Sequence, residues 1–155
     1  MNYKKSQTGW IVIGIMVPIL VLLYLSYVHQ WGDNPLPLLP FAIIAIVLII
    51  AAALFYQLTV EVDRTTVKVI YGIGLIRIKF KIDELLSTHV IRTPWYYGYG
   101  IRITPKGMLY NIQGSKAVEI KFISKGKHKS VMIGSPEPEK LQRAIDHNFR
   151  KRAWT

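Results

Sequence analysis

Two long apolar runs near the N-terminus constrain the fold of this 155-residue chain more than any other feature. Residues 10–28 and 38–56 each contain no Asp, Glu, Lys or Arg. At a rise of about 1.5 Å per residue, either run can cross a hydrocarbon core about 30 Å thick as a helix. The rest of the chain is too small to bury two such helices on every face, so the runs predict two transmembrane helices.

The segment between the runs predicts that these helices return as an antiparallel hairpin. Its Gly32-Asp33-Asn34-Pro35 stretch combines residue types that favour turns, and the segment contains no Lys or Arg. Lys4 and Lys5 precede the first run, and eighteen Lys and Arg follow the second. The positive-inside rule therefore predicts a multi-pass protein of the inner or cytoplasmic membrane with both termini in the cytoplasm. The first run is too long for a signal peptide and lacks a cleavage pattern.

The residue inventory indicates no catalytic or metal site. Cysteine is absent, which excludes disulfides, thiolate nucleophiles and thiolate metal ligands. No phosphate-binding loop, nucleophile elbow or dinucleotide fingerprint is present, and the histidines have no metal-binding spacing. These histidines are His29, His89, His128 and His147. We expect a protein that is not an enzyme and has no cofactor or metal.

From residue 57 onward the pattern changes to alternation of apolar and polar residues, which predicts strands with one buried face. Leu58, Val60 and Val62, for example, alternate with Thr59 and Glu61. Seven or eight short strands at this spacing indicate a β-sandwich or small barrel spanning residues 57–155. The predicted strands are 57–62, 67–71, 76–82, 88–92, 100–104, 108–112, 117–123 and 130–133.

A helix is predicted at about residues 136–151. Ser135 is a candidate N-cap and Pro136 suits the first helical position. We expect the apolar stripe of this helix to cover an open end or face of the sheet. The stripe consists of Leu141, Ala144, Ile145 and Phe149.

Three segments carry a resemblance to a known family. Gly98–Arg102, Ala117–Ile120 and Val131–Glu137 resemble the bacterial membrane-anchored pleckstrin-homology-like (PH-like) proteins. The resemblance covers about residues 57–147 and implies a PH-like β-barrel or sandwich capped by a C-terminal helix. It does not imply phosphoinositide binding, because the loop joining the first two strands, Asp63–Thr66, is short and poorly basic.

The β region is strongly basic. Residues 57–155 hold eighteen Lys and Arg against eight Asp and Glu. The first strand follows the second apolar run without a linker, so part of this charge could meet an anionic lipid surface. A solvated cytoplasmic surface explains the same charge equally well. The candidate contacts are the hairpin tip Lys125, Lys127, His128 and Lys129, the stripe Arg77, Lys79 and Lys81, and the tail Arg150, Lys151, Arg152 and Trp154.

Aromatic residues form a further candidate contact. Trp95, Tyr96, Tyr97 and Tyr99 are clustered next to Pro94. Such rings suit insertion into the membrane interface or docking of a partner, and closure of one end of the barrel is slightly favoured over both.

Together these features favour a noncatalytic integral membrane protein whose cytoplasmic PH-like domain binds or scaffolds an unidentified protein partner. The alternative is a sensor of anionic phospholipid that uses the basic hairpin and stripe. Nucleic acid is not expected as a partner, because membrane topology accounts for the basic charge and no nucleic-acid fold signature is present.

Overall fold

The computed structural model describes residues 2–150 and contains two helices, two β-sheets and a C-terminal helix. The helices are α1 (Trp10–His29), α2 (Leu38–Phe55) and α3 (Pro138–Phe149). The strands are β1 (Tyr3–Thr8), β2 (Gln57–Val62), β3 (Thr66–Tyr71), β4 (Ile76–Lys81), β5 (Glu84–Arg92), β6 (Gly100–Thr104), β7 (Gly107–Asn111), β8 (Lys116–Ser124) and β9 (Lys127–Gly134).

The two predicted apolar helices are present. Neither α1 nor α2 has a buried residue, so most of their apolar side chains outside the contact between the two helices are exposed. The helices pack against each other, and the rings of Tyr27 and Phe41 stack at 4.3 Å near the turn that joins them. By length and composition both are candidate membrane spans. Pro18 lies within α1 without interrupting it.

The first sheet is an antiparallel meander in the order β1-β2-β3-β4. Its β2 and β3 strands alternate strictly between buried and half-buried residues, as the sequence pattern predicted. Leu58, Val67 and Tyr71 belong to the buried face and form part of the common core.

Strand β1 was not predicted. Residues 3–8, for which the sequence analysis predicted no strand, pair with β2 from Tyr3↔Val62 to Thr8↔Gln57. The Lys4 ammonium also contacts the Glu61 carboxylate at 2.8 Å. The sequence of β1 is mostly polar and shows little apolar alternation. Its strand conformation therefore depends on the backbone pairing with β2. The chain thus has eight strands after α2, within the predicted seven or eight, and a ninth before α1 in the described region.

The second sheet has the order β5-β8-β9-β7-β6. All neighbours are antiparallel except β7 and β9, which pair in parallel from Met108↔Val131 to Tyr110↔Ile133. Local sequence patterns cannot predict this non-consecutive pairing. One apolar core, which includes Val69, Phe122 and Ile133, joins this sheet to the first.

Helix α3 packs chiefly on β5 and β8 and buries its predicted apolar stripe. It begins at Pro138 rather than at the predicted Pro136. The Ser135 N–H is bonded to the Lys116 carbonyl, so Ser135 still belongs to the sheet and cannot be the N-cap. Its hydroxyl instead accepts the Glu137 N–H at 3.2 Å.

Candidate interaction surfaces

The β domain has two distinct ends, defined by the place where α1 and α2 leave it. Strand β1 runs directly into α1, and α2 runs directly into β2, so the β1–β2 ladder continues as the helical pair. We call this the helix-proximal end, and the opposite end, where β2 turns into β3, the helix-distal end. The turn between β8 and β9 lies at the helix-distal end, and the loop between β7 and β8 lies at the helix-proximal end.

The junction at the helix-proximal end is closely bonded. The Gly9 N–H donates to the Tyr56 carbonyl at 2.7 Å. The Trp10 N–H donates to the Gln113 side-chain oxygen at 2.9 Å, and the Gln7 amide donates to the Gln113 carbonyl at 3.1 Å. These bonds tie the start of α1 to both sheets, so no flexible linker separates the helices from the β domain.

The turn between β3 and β4 lies against the last turn of α2. The Ile73 N–H points to the Ala53 carbonyl at 3.4 Å, and Gly72 approaches the backbone of α2 so closely that no Cβ would fit. The side chains of Ile73 and Leu75 are 63% and 68% exposed. The Arg77 guanidinium donates to the Gly74 carbonyl at 2.7 Å and closes this turn.

The aromatic cluster does not close an end of the β domain. Trp95 is 86% exposed and Tyr96 is 68% exposed, because the 3₁₀ turn Trp95–Tyr97 projects from the loop between β5 and β6. The rings contact each other edge to face along the turn instead of filling the core. The slightly favoured prediction of barrel closure was therefore wrong.

This aromatic loop belongs to the helix-proximal end. It starts after Thr93, which bonds Ser115 in the β7–β8 loop, and it ends at Gly100, which lies beside the Phe55 ring of α2. The Tyr71 hydroxyl donates to the Gly100 and Asn111 carbonyls at 3.3 Å each. Burial, and secondarily the nearby Tyr110, raise the pKa of Tyr71 well above its usual range. The phenol therefore stays protonated and keeps donating.

The predicted basic hairpin tip lies at the helix-distal end. The Lys125 N–H donates to the Asp83 carboxylate at 2.7 Å, which places the β8–β9 turn next to the β4–β5 turn that follows Lys81. Lys127 and Lys129 lie on the first residues of β9. At about 3.3 Å per residue, Lys127 is about 23 Å along the strand from Gly134 at the helix-proximal end.

The remaining predicted contacts are dispersed. On β4, Arg77 is level with the helix-proximal end, Lys79 lies midway and Lys81 is distal, so the predicted stripe runs the length of the domain. Arg150 follows α3, where its guanidinium contacts the Asp146 carboxylate at 3.4 Å. Lys151, Arg152 and Trp154 lie outside the described residues.

Sequence reasoning missed the apolar turn and its partners. Ile73 and Leu75 lie in a turn that Gly72 and Gly74 identify, and a glycine turn by itself indicates chain reversal rather than a contact surface. Two large aliphatic residues in a glycine turn are the signal that could have drawn attention to them. Arg102, which donates to the Tyr99 carbonyl at 3.2 Å, was also missed.

Within residues 2–150 no group of three or more His, Asp or Glu side chains is placed to hold a metal ion. Comparison of the chain with protein-family models, curated proteins and solved structures finds no match. The two ends of the β domain are therefore interpreted from their own geometry and chemistry.

Proposed function

We propose that this chain is a noncatalytic, membrane-anchored module whose β domain binds or scaffolds a protein partner at the cytoplasmic surface. The observation that carries the proposal is the direct continuation of the β1–β2 ladder into α1 and α2, braced by the bonds of Gln113. Helices whose exposed surfaces are largely apolar favour an apolar surrounding, and a bonded junction gives the β domain one orientation relative to it.

The absence of Lys and Arg between α1 and α2 supports a cytoplasmic β domain by the positive-inside rule. The resemblance to membrane-anchored PH-like proteins agrees with the order of strands followed by one helix. The resemblance did not predict strand β1 or the parallel pairing of β7 with β9. The proposal therefore depends on the junction and the surface charge more than on the likeness.

The helix-distal end is the proposed contact surface for a partner with an acidic face. Lys81, Lys125, Lys127 and Lys129 are all exposed there. The distance of about 23 Å from the helix-proximal end exceeds a Debye length of about 8 Å at physiological ionic strength. An anionic bilayer crossed by α1 and α2 would therefore act only weakly on these lysines, and a protein partner is the better match.

Site-specific photocrosslinking of the full-length chain in native membranes tests this proposal. A photoreactive residue at His128, among the distal lysines, should capture a discrete protein partner, and added salt should weaken the capture. Replacing Lys125, Lys127 and Lys129 with Gln should abolish it. The charge-matched control replaces Arg92, Lys116 and Arg143, which are exposed away from the helix-distal end, and should leave it intact. Recovery of the chain alone, or equal loss in both variants, would contradict the proposal.

The alternative function is sensing of anionic phospholipid, and the position of one predicted basic contact supports it. Among the predicted basic contacts, Arg77 is level with the helix-proximal end. If the chain senses lipid through Arg77, vesicles with anionic lipid should suppress tryptic cleavage after Arg77. Zwitterionic vesicles should not suppress this cleavage. Cleavage after Lys127 is the internal control. Equal cleavage of Arg77 in both vesicle types would reject the sensor.

A further inference from the structure

Two apolar tips project from the helix-proximal end of the β domain. One consists of Ile73 and Leu75 in the β3–β4 turn, and the other of Trp95 and Tyr96 in the β5–β6 loop. Each side chain is more than half exposed, although the interior of the same domain buries its aliphatic residues almost completely. Ile103 on β6 is also 87% exposed, but it is a single side chain away from this end. A group of four exposed aliphatic and aromatic side chains at one end is typical of an interaction surface, whereas single exposed apolar residues are ordinary.

The position of the first tip along α2 indicates what covers it. Ile73 is bonded to Ala53, which lies inside the apolar helix and about 3 Å above its last residue, Phe55. The turn is thus beside the helix and not below its end. Gly72 makes this approach possible, because its φ of +55° and the nearby carbonyls of α2 suit only glycine.

Each tip is also held by an arginine that bonds a backbone carbonyl of the same loop. Arg77 donates to Gly74, and Arg102 donates to Tyr99. Both guanidinium groups are exposed, so their remaining N–H groups can meet phosphate oxygens while the apolar tips lie deeper. Aromatic rings and arginines at such a boundary are typical of the interfacial layer of a bilayer.

We propose that Ile73, Leu75, Trp95 and Tyr96 form a membrane-embedded rim, seated in the interfacial layer of the bilayer that α1 and α2 cross. The inference rests on the membrane anchoring proposed above. The rim adds contacts with the bilayer at a distance from the helix axes. These contacts fix the tilt of the β domain relative to the membrane. A protein covering the same tips would have to displace lipid beside the last turn of α2.

Single-cysteine spin labelling of the full chain in liposomes tests the rim, since the sequence contains no cysteine. Labels at Leu75→Cys and Tyr96→Cys report on the two tips. Lys127→Cys is the helix-distal control, and Ile46→Cys within α2 reports on the anchor. Collisions with oxygen, which concentrates in the bilayer, and with a water-soluble nickel chelate are measured for each label.

The rim predicts oxygen collisions several-fold above nickel collisions at the Leu75 and Tyr96 positions, with the opposite order at Lys127. If the Leu75 label is as open to nickel as the Lys127 label while the Ile46 label is protected, the rim is wrong and the anchor stands. If the Ile46 label is also open to nickel, the anchoring itself fails. Shielding of the tip labels from both reagents indicates a protein cover and overturns the rim.

Discussion

Gly72 is the residue on which the seating of the β3–β4 turn against α2 depends. It has a positive φ, and a side chain there would collide with the carbonyls of Ala53 and Leu54. Gly126, in the β8–β9 turn, has a similar φ of +72° but open space around its Cα. A comparison of substitutions at these two glycines therefore distinguishes the effect of backbone strain from that of steric contact with α2.

The Gly72→Ala substitution should destabilise the protein more than Gly126→Ala. The control carries only the strain of a left-handed alanine, about 1–2 kcal/mol, whereas the Gly72 variant must also move the turn away from α2. Equilibrium unfolding in detergent measures both free energies. Equal losses would show that the contact with α2 contributes nothing to stability.

Tyr71 makes the stability of the β domain sensitive to alkaline pH. Because burial raises its pKa, the unfolded chain releases the phenolic proton first, near its ordinary value of about 10. The contribution of the protonated Tyr71 phenol to the free energy of unfolding is therefore complete below pH about 10. It declines as the pH rises toward the higher folded pKa. Tyr71→Phe should cost about 1 kcal/mol at neutral pH through its lost hydrogen bonds, and should weaken the alkaline decline. Denaturant titrations across that pH range measure both effects, with the exposed Tyr96→Phe as control.

At the scale of elements, β1 is tied to the start of α3 as well as to β2. The Lys5 ammonium contacts the Glu137 carboxylate at 3.2 Å, and Lys140 contacts the other carboxylate oxygen at 2.7 Å. Hydrogen bonds from Lys140 and then from Lys5 hold the pKa of Glu137 below its ordinary value. The carboxylate is therefore favoured in the folded chain.

Acidification should loosen this tie. The contribution of Glu137 is present above the ordinary Glu pKa of about 4.3, and it is lost as pH falls through the lowered folded value. The protection of the β1 amides against hydrogen exchange, corrected for the intrinsic exchange rate at each pH, should fall over that interval in the native chain. Glu137→Gln should remove this dependence, whereas Glu139→Gln, two residues along the chain, should preserve it. Identical profiles in all three proteins would contradict the role of Glu137.

Elements with strong local patterns were predictable and those defined by distant partners were not. Strands β2 to β4 followed from alternation, and α1 and α2 from their uninterrupted apolar sequence. Strand β1 lacks such a pattern and depends on β2, about fifty residues away in sequence. The same limit applies to the interaction surfaces. The sequence identified Trp95 and Lys127 as contacts, but only the strand register assigns them to opposite ends.

At the scale of the whole molecule, the polypeptide passes between the β domain and the helices at one pair of adjacent strands, β1 and β2. Gly9 and Tyr56 are hydrogen-bonded partners at the top of the β1–β2 ladder. A two-residue Asn-Gly turn is the usual connection across such a pair in an antiparallel hairpin. Residues 10–55 can therefore be replaced by Asn-Gly without changing the register of the first sheet.

This hairpin-closed chain should fold in water, because it retains β1, both sheets and α3. A chain beginning at Gln57 loses β1, exposes the edge of β2 and removes the ion pairs of Lys4 and Lys5. We expect the shorter chain to unfold at lower temperature and to aggregate more readily, measured by circular dichroism and light scattering. Equal stability of the two would show that β1 is dispensable. Failure of the closed chain to fold would show that the β domain needs the Phe55 ring and the rest of the helical pair, because that contact with Tyr71 is what the replacement removes.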